Sequence, residues 1–155
     1  MKIAVVQIRG TVRTGSKIKD TLKLLRLTKK NSCVLLENNP VYLGMLVKLK
    51  DFVTWGEVNN ETLKSLIEKR GRIAGNKPLT LDYLNDKIKM DFNGLAEALE
   101  QNKLKLKDIP GVKTFFRLKP PIHGFERKGI KAQFSLGGAL GYRGENINDL
   151  IRRML

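Results

Sequence analysis

The sequence predicts an α+β fold organised around a β-α-β-α-β unit, and three features of its first 58 residues carry that reading. Short β-branched, apolar runs recur at three places. Two stretches of helical periodicity separate them. The alternation is complete in fewer than 60 residues, which leaves room for a small antiparallel or mixed three-stranded sheet with both helices on one face. That arrangement is a ferredoxin-like half.

The first strand is read over residues 2–8, where Ile3, Val5, Val6 and Ile8 are apolar and mostly β-branched. Arg9 to Gly15 (RGTVRTG) is a basic loop bounded by glycines. Ser16 is the expected N-cap of a helix running to about Thr28, with Ile18, Leu22 and Leu25 on its apolar face. Lys19, Lys23, Arg26 and Lys30 then form a second stripe at helical spacing. Cys33 to Leu36 reads as a short buried strand. Asn39 caps a second helix with Pro40 in its first position, where a missing N–H costs nothing. That helix is expected to end near Lys50 and to send Leu43, Leu46, Val47 and Leu49 to the core, and Phe52 to Trp55 is the third strand.

Residues 1–58 are therefore assigned to a core and residues 59–155 to an extension. Within the extension, helices are expected over about 60–102. Asn60 caps the first, which buries Leu63, Leu66 and Ile67 and ends at Gly71 as a C′ residue. Thr80 and Asn93 open two more. A Gly- and Pro-rich basic arm follows over about 103–143, anchored by Phe115, Phe116, Ile122, Phe125, Ile130 and Phe134. A closing helix over about 145–155 presents Ile147, Leu150, Ile151 and Met154 for docking.

Charge is the strongest functional signal. The chain has 30 Lys and Arg against 15 Asp and Glu, a formal net charge of +15. Such a field favours a polyanion, because each phosphate neutralised releases condensed counterions. The excess is uneven: residues 1–58 carry +7 and residues 103–143 carry +8, whereas 59–102 and 144–155 are each neutral. The neutral helices read as scaffold.

Enzyme chemistry finds little support. His123 is the only histidine and has no carboxylate pair nearby in sequence, and Cys33 is the only cysteine, within an apolar run. A disulfide framework and a cysteine-based zinc site are excluded, and no cofactor or small-molecule substrate is expected. Thr14-Gly15-Ser16-Lys17 lacks the spacing of a nucleotide-binding phosphate loop. No apolar run approaches the roughly 18 residues of a membrane span, and the N-terminal run is too short and too soon interrupted for a signal peptide. A reducing, intracellular and cytoplasmic setting is expected.

Nucleic-acid binding has more behind it. The arm interleaves Lys113, Arg117, Lys119, Arg127, Lys128 and Lys131 with phenylalanines, so that cations can meet phosphates while a ring stacks on a base or on the core. Burial is expected for most of these rings, and Phe125 is the candidate for exposure. The residues Gly141-Tyr142-Arg143-Gly144 have the outline of a GXXG loop, with which KH domains clamp single strands. A KH loop joins two helices, however, and Gly137-Gly138 is a poor helix terminus. A tight turn at the end of the arm, with Arg143 still touching phosphate, is the favoured reading, and a free KH-like single-strand binder or RNA chaperone is the alternative.

The stretch RGTVRTGSKIKDTLKLLRLTKKN (9–31), with VLLENNP (34–40) and GMLVKLK (44–50), resembles the ribosomal protein family numbered thirty in the bacterial large subunit. EKRGRIAGNKPLT (68–80) and GGALGYRGENINDLIRRML (137–155) are similar to the extension of its archaeal-type members, so the resemblance spans essentially the whole chain. The lack of a long basic segment before Met1 points to an archaeal rather than a eukaryotic member. The resemblance implies a structural protein of the large ribosomal subunit, with a ferredoxin-like core bound to large-subunit ribosomal RNA near the 5S RNA and beside other ribosomal proteins. The matching basic positions are Arg9, Arg13, Lys17, Lys29 and Lys30. Lys19, Lys23 and Arg26 join them from the helical stripe, and the arm residues from composition alone.

Overall fold

A computed structural model describes residues 2–155. The expected core is present: β1 (Lys2–Gln7), α1 (Ser16–Leu24), β2 (Ser32–Glu37), α2 (Pro40–Lys48) and β3 (Val53–Glu57). Strand β1 lies between β2 and β3 and is antiparallel to both; Val5 faces Val34 on one side and Trp55 on the other. Beyond residue 58 come α3 (Asn60–Arg70), α4 (Leu81–Ile88), α5 (Phe92–Glu100), β4 (Phe115–Arg117), β5 (Gly141–Tyr142) and α6 (Ile147–Met154). Strand β4 pairs antiparallel with β2, and β5 parallel with β3. The sheet is thus mixed and five-stranded, in the order β4-β2-β1-β3-β5, and both of its edges come from the arm.

Alternate side chains of β1 enter two different cores. Ile3 and Val5 pack with Leu22 of α1 and Leu25 just after it, Leu46 of α2 and Leu49 just after it, and Trp55. Ala4, Val6 and Ile8 face the other way, onto Leu63, Leu66 and Ile67 of α3, Leu95 and Leu99 of α5, and Ile147, Leu150 and Ile151 of α6. Both faces are therefore covered, α1 and α2 on one and the extension on the other. This is why β1 reads as a nearly unbroken apolar run and not as an alternation.

Several local expectations are corrected. Helix α1 closes at Leu24, not near Thr28, through a Schellman motif. Leu27 N–H donates to Leu22 O at 2.8 Å and Arg26 N–H to Lys23 O at 2.9 Å, while Arg26 takes the left-handed conformation (φ 59°). Leu22 and Leu27, both buried, make the hydrophobic contact that accompanies this cap. Gly15, not Ser16, is the N-cap of α1, and no side chain caps it. Asn39 does cap α2, accepting from Val41 N–H at 3.1 Å. The face α2 buries is shifted: Leu46 and Leu49 are fully buried, but Val47 is 62% exposed and Leu43 37%. Tyr42 and Met45 pack in their place.

Helix α3 is capped by Asn59, whose side chain accepts from Thr62 N–H at 2.9 Å, and α5 begins after Asp91. Gly71 follows α3 but at φ −57°, outside the left-handed region. Its glycine is required by crowding, since a Cβ there would lie 2.3 Å from Ile67 O. The closing helix buries all four expected residues, Ile147, Leu150, Ile151 and Met154. Asn148 ties it to the core: its Oδ1 accepts from Asn59 N–H, and its Nδ2 donates to the carbonyls of Glu57 and Glu145.

Candidate nucleic-acid interface

Backbone pairing at one end of the sheet gathers basic residues from distant parts of the sequence. Asn31 is the pivot. Its N–H donates to Gln7 O at the end of β1, and its carbonyl accepts from Leu118 N–H just after β4. Ser32 stands opposite Arg117 in the β2–β4 register. Arg9 follows β1, Lys29 and Lys30 precede β2, and Arg117 ends β4, so four cations share this end. Lys29, Lys30 and Arg117 are exposed, and Arg9 is half-buried. Arg9 lies over the Phe52 ring at 5.4 Å, and its Nη1 donates to Asp51 O at 3.3 Å. A stacked, tethered guanidinium keeps its charge while losing little conformational freedom on binding.

A second group lies along α1. Lys19 and Lys23 are four residues apart on the helix and both exposed, as are Lys17 and Arg13. Arg26 and Lys30 are exposed too, but they lie beyond the helix end and do not extend its stripe. A third group, Arg127, Lys128 and Lys131, is exposed on the turns before β5, and Lys119 is exposed after β4. Among the described residues, none of these cations pairs with a carboxylate. The ion pairs involve Lys2, Lys105, Arg143, Arg152 and Arg153 instead.

Two expected contacts are placed elsewhere. Arg143 is 3% exposed. Its Nε donates to Thr54 Oγ1, its Nη2 to Ala139 O, and its Nη1 to Glu126 Oε1, while the guanidinium covers the Phe134 ring. It is an internal tie of the arm, withdrawn from any phosphate. Phe125 is half-buried against the extension-side core and is not the exposed ring expected of it. The GXXG outline also resolves: Gly141 and Tyr142 form β5, so no helix-loop-helix clamp exists there. Tyr142 is exposed and its hydroxyl donates to the Glu57 carboxylate, a bond to the protonated phenol that raises its pKa above the ordinary value.

Cys33 is fully buried, and burial pushes its thiol up to about 12. His123 is exposed in a turn at φ 63°. Lys2 is buried beside Glu37, and burial lowers its ammonium below 10.5 against the pull of that carboxylate. No cluster of three or more His, Cys, Asp and Glu side chains that could hold a metal ion occurs among the described residues. No helix among them is long and apolar enough to cross a membrane.

A further basic cluster lies where the segment charge averages to zero. Arg70 and Arg72, inside the stretch that averages to neutral, stand with Lys113 and Arg117 around one cavity. The local string Glu68-Lys69-Arg70-Gly71-Arg72 carries the excess that the longer average hides.

The sequence pattern of Ribosomal protein L30p/L7e matches residues 3–53. Over its whole length the chain is 50% identical to the large ribosomal subunit protein uL30 of Methanococcus vannielii, itself fully covered. The chain belongs to the uL30 family. The uL30 of Nanoarchaeum equitans is 49% identical over 98% of this chain and 97% of its own. That of Methanopyrus kandleri is 48% identical over 96% of this chain and all of its own. These uL30 relatives are archaeal and share the extension as well as the core, and the family is one of non-enzymatic ribosomal structural proteins.

Proposed function

We propose that this uL30 chain acts in the cytoplasm as a structural constituent of the large ribosomal subunit, binding large-subunit ribosomal RNA in the neighbourhood of the 5S RNA and of other ribosomal proteins. The observation that carries the proposal is the array of exposed cations without carboxylate partners on α1, at the sheet end beside Asn31, and on the arm. A solvated surface normally intersperses both signs. Here the ion pairs among the described residues engage other cations, Lys2, Lys105, Arg143, Arg152 and Arg153. The exposed cations of the array remain available to phosphates, and the two-sided core beneath them keeps them in fixed relation.

The test is binding of large-subunit ribosomal RNA as a function of salt. Wild-type affinity should fall linearly in log K against log salt, with a slope set by the number of phosphates neutralised. Replacing Lys19, Lys23 and Arg26 together by Gln should weaken binding and flatten that slope by about 2 to 3, at roughly 0.7 to 0.9 for each phosphate no longer neutralised. Gradient sedimentation of a cell extract should place the protein with large subunits. Recovery only among free proteins, or binding indifferent to salt, would sink the reading.

A further inference from the structure

We propose that the cavity between the end of α3 and the edge strand β4 is a phosphate pocket, one that takes a single phosphodiester of the bound RNA. It has a volume of about 190 Å³ and is lined by Arg70, Arg72, Asn76, Lys113, Phe115 and Arg117, with no carboxylate. The inference rests on the RNA-binding role proposed above and adds a site to it. Two of the four cations come from the stretch whose net charge is zero.

The arrangement is a built one. Arg70 Nη2 donates to the main-chain oxygen of Leu155, which fixes the side chain at the pocket wall. Its Nε is buried and has no hydrogen-bond partner. Arg72 sits in a turn closed from both sides: it bridges to Pro78, and its carbonyl accepts from Lys113 N–H at 2.8 Å. Lys113 Nζ reaches Asn76 Oδ1 at 3.4 Å, and Arg117 lies over the Phe115 ring at 5.8 Å. The contacts of Arg70, Lys113 and Arg117 position their cations, those of Arg72 fix its main chain, and none is with an acidic side chain. Four like charges held around one cavity repel one another, and an anion seated among them relieves that repulsion. Forked guanidinium donors suit phosphate oxygens in particular.

A basic residue in the last turn of α3 complements the negative end of the helix dipole, which explains Arg70. It does not explain Arg72, Lys113 and Arg117, which lie outside that helix. Position also favours a polymer phosphate over a free ion. Arg117 stands at the sheet end already occupied by Lys29, Lys30 and Arg9, so an RNA strand crossing that end would continue into the pocket.

The experiment compares two variants of the full chain binding large-subunit ribosomal RNA across a salt series. R72Q/K113Q should lose roughly tenfold in affinity at 0.1 M salt, and its log–log slope should become shallower by about 1, as expected when one phosphate is no longer neutralised. The charge-keeping pair R72K/K113R should bind within about threefold of wild type. An unchanged slope in R72Q/K113Q, while K19Q/K23Q/R26Q still flattens its own, overturns the pocket and leaves the RNA reading standing. Salt-independent binding by the wild type overturns the RNA reading itself. Equal losses in the Gln pair and the charge-keeping pair, with equal falls in melting temperature, also overturn the pocket, because they mark a structural turn. Competition separates the two phosphate sources. A short single-stranded RNA should weaken wild-type binding more than R72Q/K113Q binding at concentrations where inorganic phosphate does nothing, and equal potency of the two competitors would assign the site to free phosphate.

Discussion

Arg143 and Glu126 are joined by two hydrogen bonds, Nη1 to Oε1 at 2.7 Å and Nη2 to Oε2 at 3.3 Å, with the arginine side chain 1% exposed and the glutamate 21%. The pair pins the turns at 126–140 to the parallel edge strand β5. Arg143 reaches Thr54 on β3 and the Ala139 carbonyl as well, so one guanidinium holds three segments of chain.

Removing this arginine should therefore cost stability and not RNA contact. Arg143→Met preserves bulk over Phe134 but strands Glu126 with Arg153 as its remaining partner, at 3.6 Å. Breaking a buried pair from one side costs about 3–5 kcal/mol, and the solvent access of Glu126 places this case near the low end, about 3. Denaturant melts of Arg143→Met, Glu126→Leu and the double variant would check it. The double variant should recover part of the loss, since no charge is left stranded. RNA affinity of the folded protein should stay within about twofold of wild type.

The same pair gives the fold an acid-sensitive contribution. Burial pushes the Glu126 carboxyl up, but the hydrogen bonds and charge of Arg143, aided by Arg153, outweigh it and hold the group below its ordinary 4.5. A carboxyl depressed in the folded state contributes stability that is complete above the unfolded value. That contribution is lost as pH falls through the folded value. The stability gap between wild type and Glu126→Gln should thus be constant from about pH 6 to 7 and narrow below about pH 4.5. Urea midpoints across that range measure it, and a gap that widens toward acid would contradict the assignment.

How much of this was readable beforehand depends on how local the cause is. The Asn39-Pro40 start of α2 and the buried sets of α3 and α6 are decided by neighbours three or four residues apart, so periodicity finds them. Helix α2 shows where periodicity alone fails. Leu43, Leu46 and Val47 make one apolar stripe and Tyr42, Met45, Leu46 and Leu49 another, and only the sheet decides between them. The edge strands, the Arg143–Glu126 tie and the Arg70–Arg117 cavity join residues tens of positions apart, or across irregular chain. Nothing in their spacing announces them. The exposed stripe Lys19–Lys23 was legible because solvated charge on a helix needs no partner to specify it, whereas Arg143 misled because a basic residue between glycines looks solvent-facing until its carboxylate is found.

Gly56 is a residue whose role only packing reveals. It sits in β3, and a Cβ there would lie 2.0 Å from the Gly144 carbonyl oxygen, where the chain leaves β5 and turns into α6. Gly56→Ala should force that turn outward and loosen Asn148 from Glu57 O. Overpacking of this kind costs about 1–3 kcal/mol, occasionally more. Thermal melts, with hydrogen exchange at the amides of Asn59 and Arg143, would show both the loss and its location.

Arg26 sets stability against binding at a single position. It occupies the left-handed C′ site of the α1 Schellman cap at φ 59°, a place where glycine is preferred and a side chain costs on the order of 1 kcal/mol. Its side chain is exposed and pairs with no carboxylate among the described residues. Arg26→Gly should keep the Leu27–Leu22 and Arg26–Lys23 main-chain hydrogen bonds and relieve the strain. The greater freedom of glycine in the unfolded chain offsets part of that gain, so the melting temperature should hold or rise by a few degrees. RNA affinity should fall, with the salt slope shallower by just under 1 if Arg26 meets one phosphate. Arg26→Lys should keep the slope and the strain together. A variant that is both more stable and equally tight would mean that this arginine is retained for neither reason.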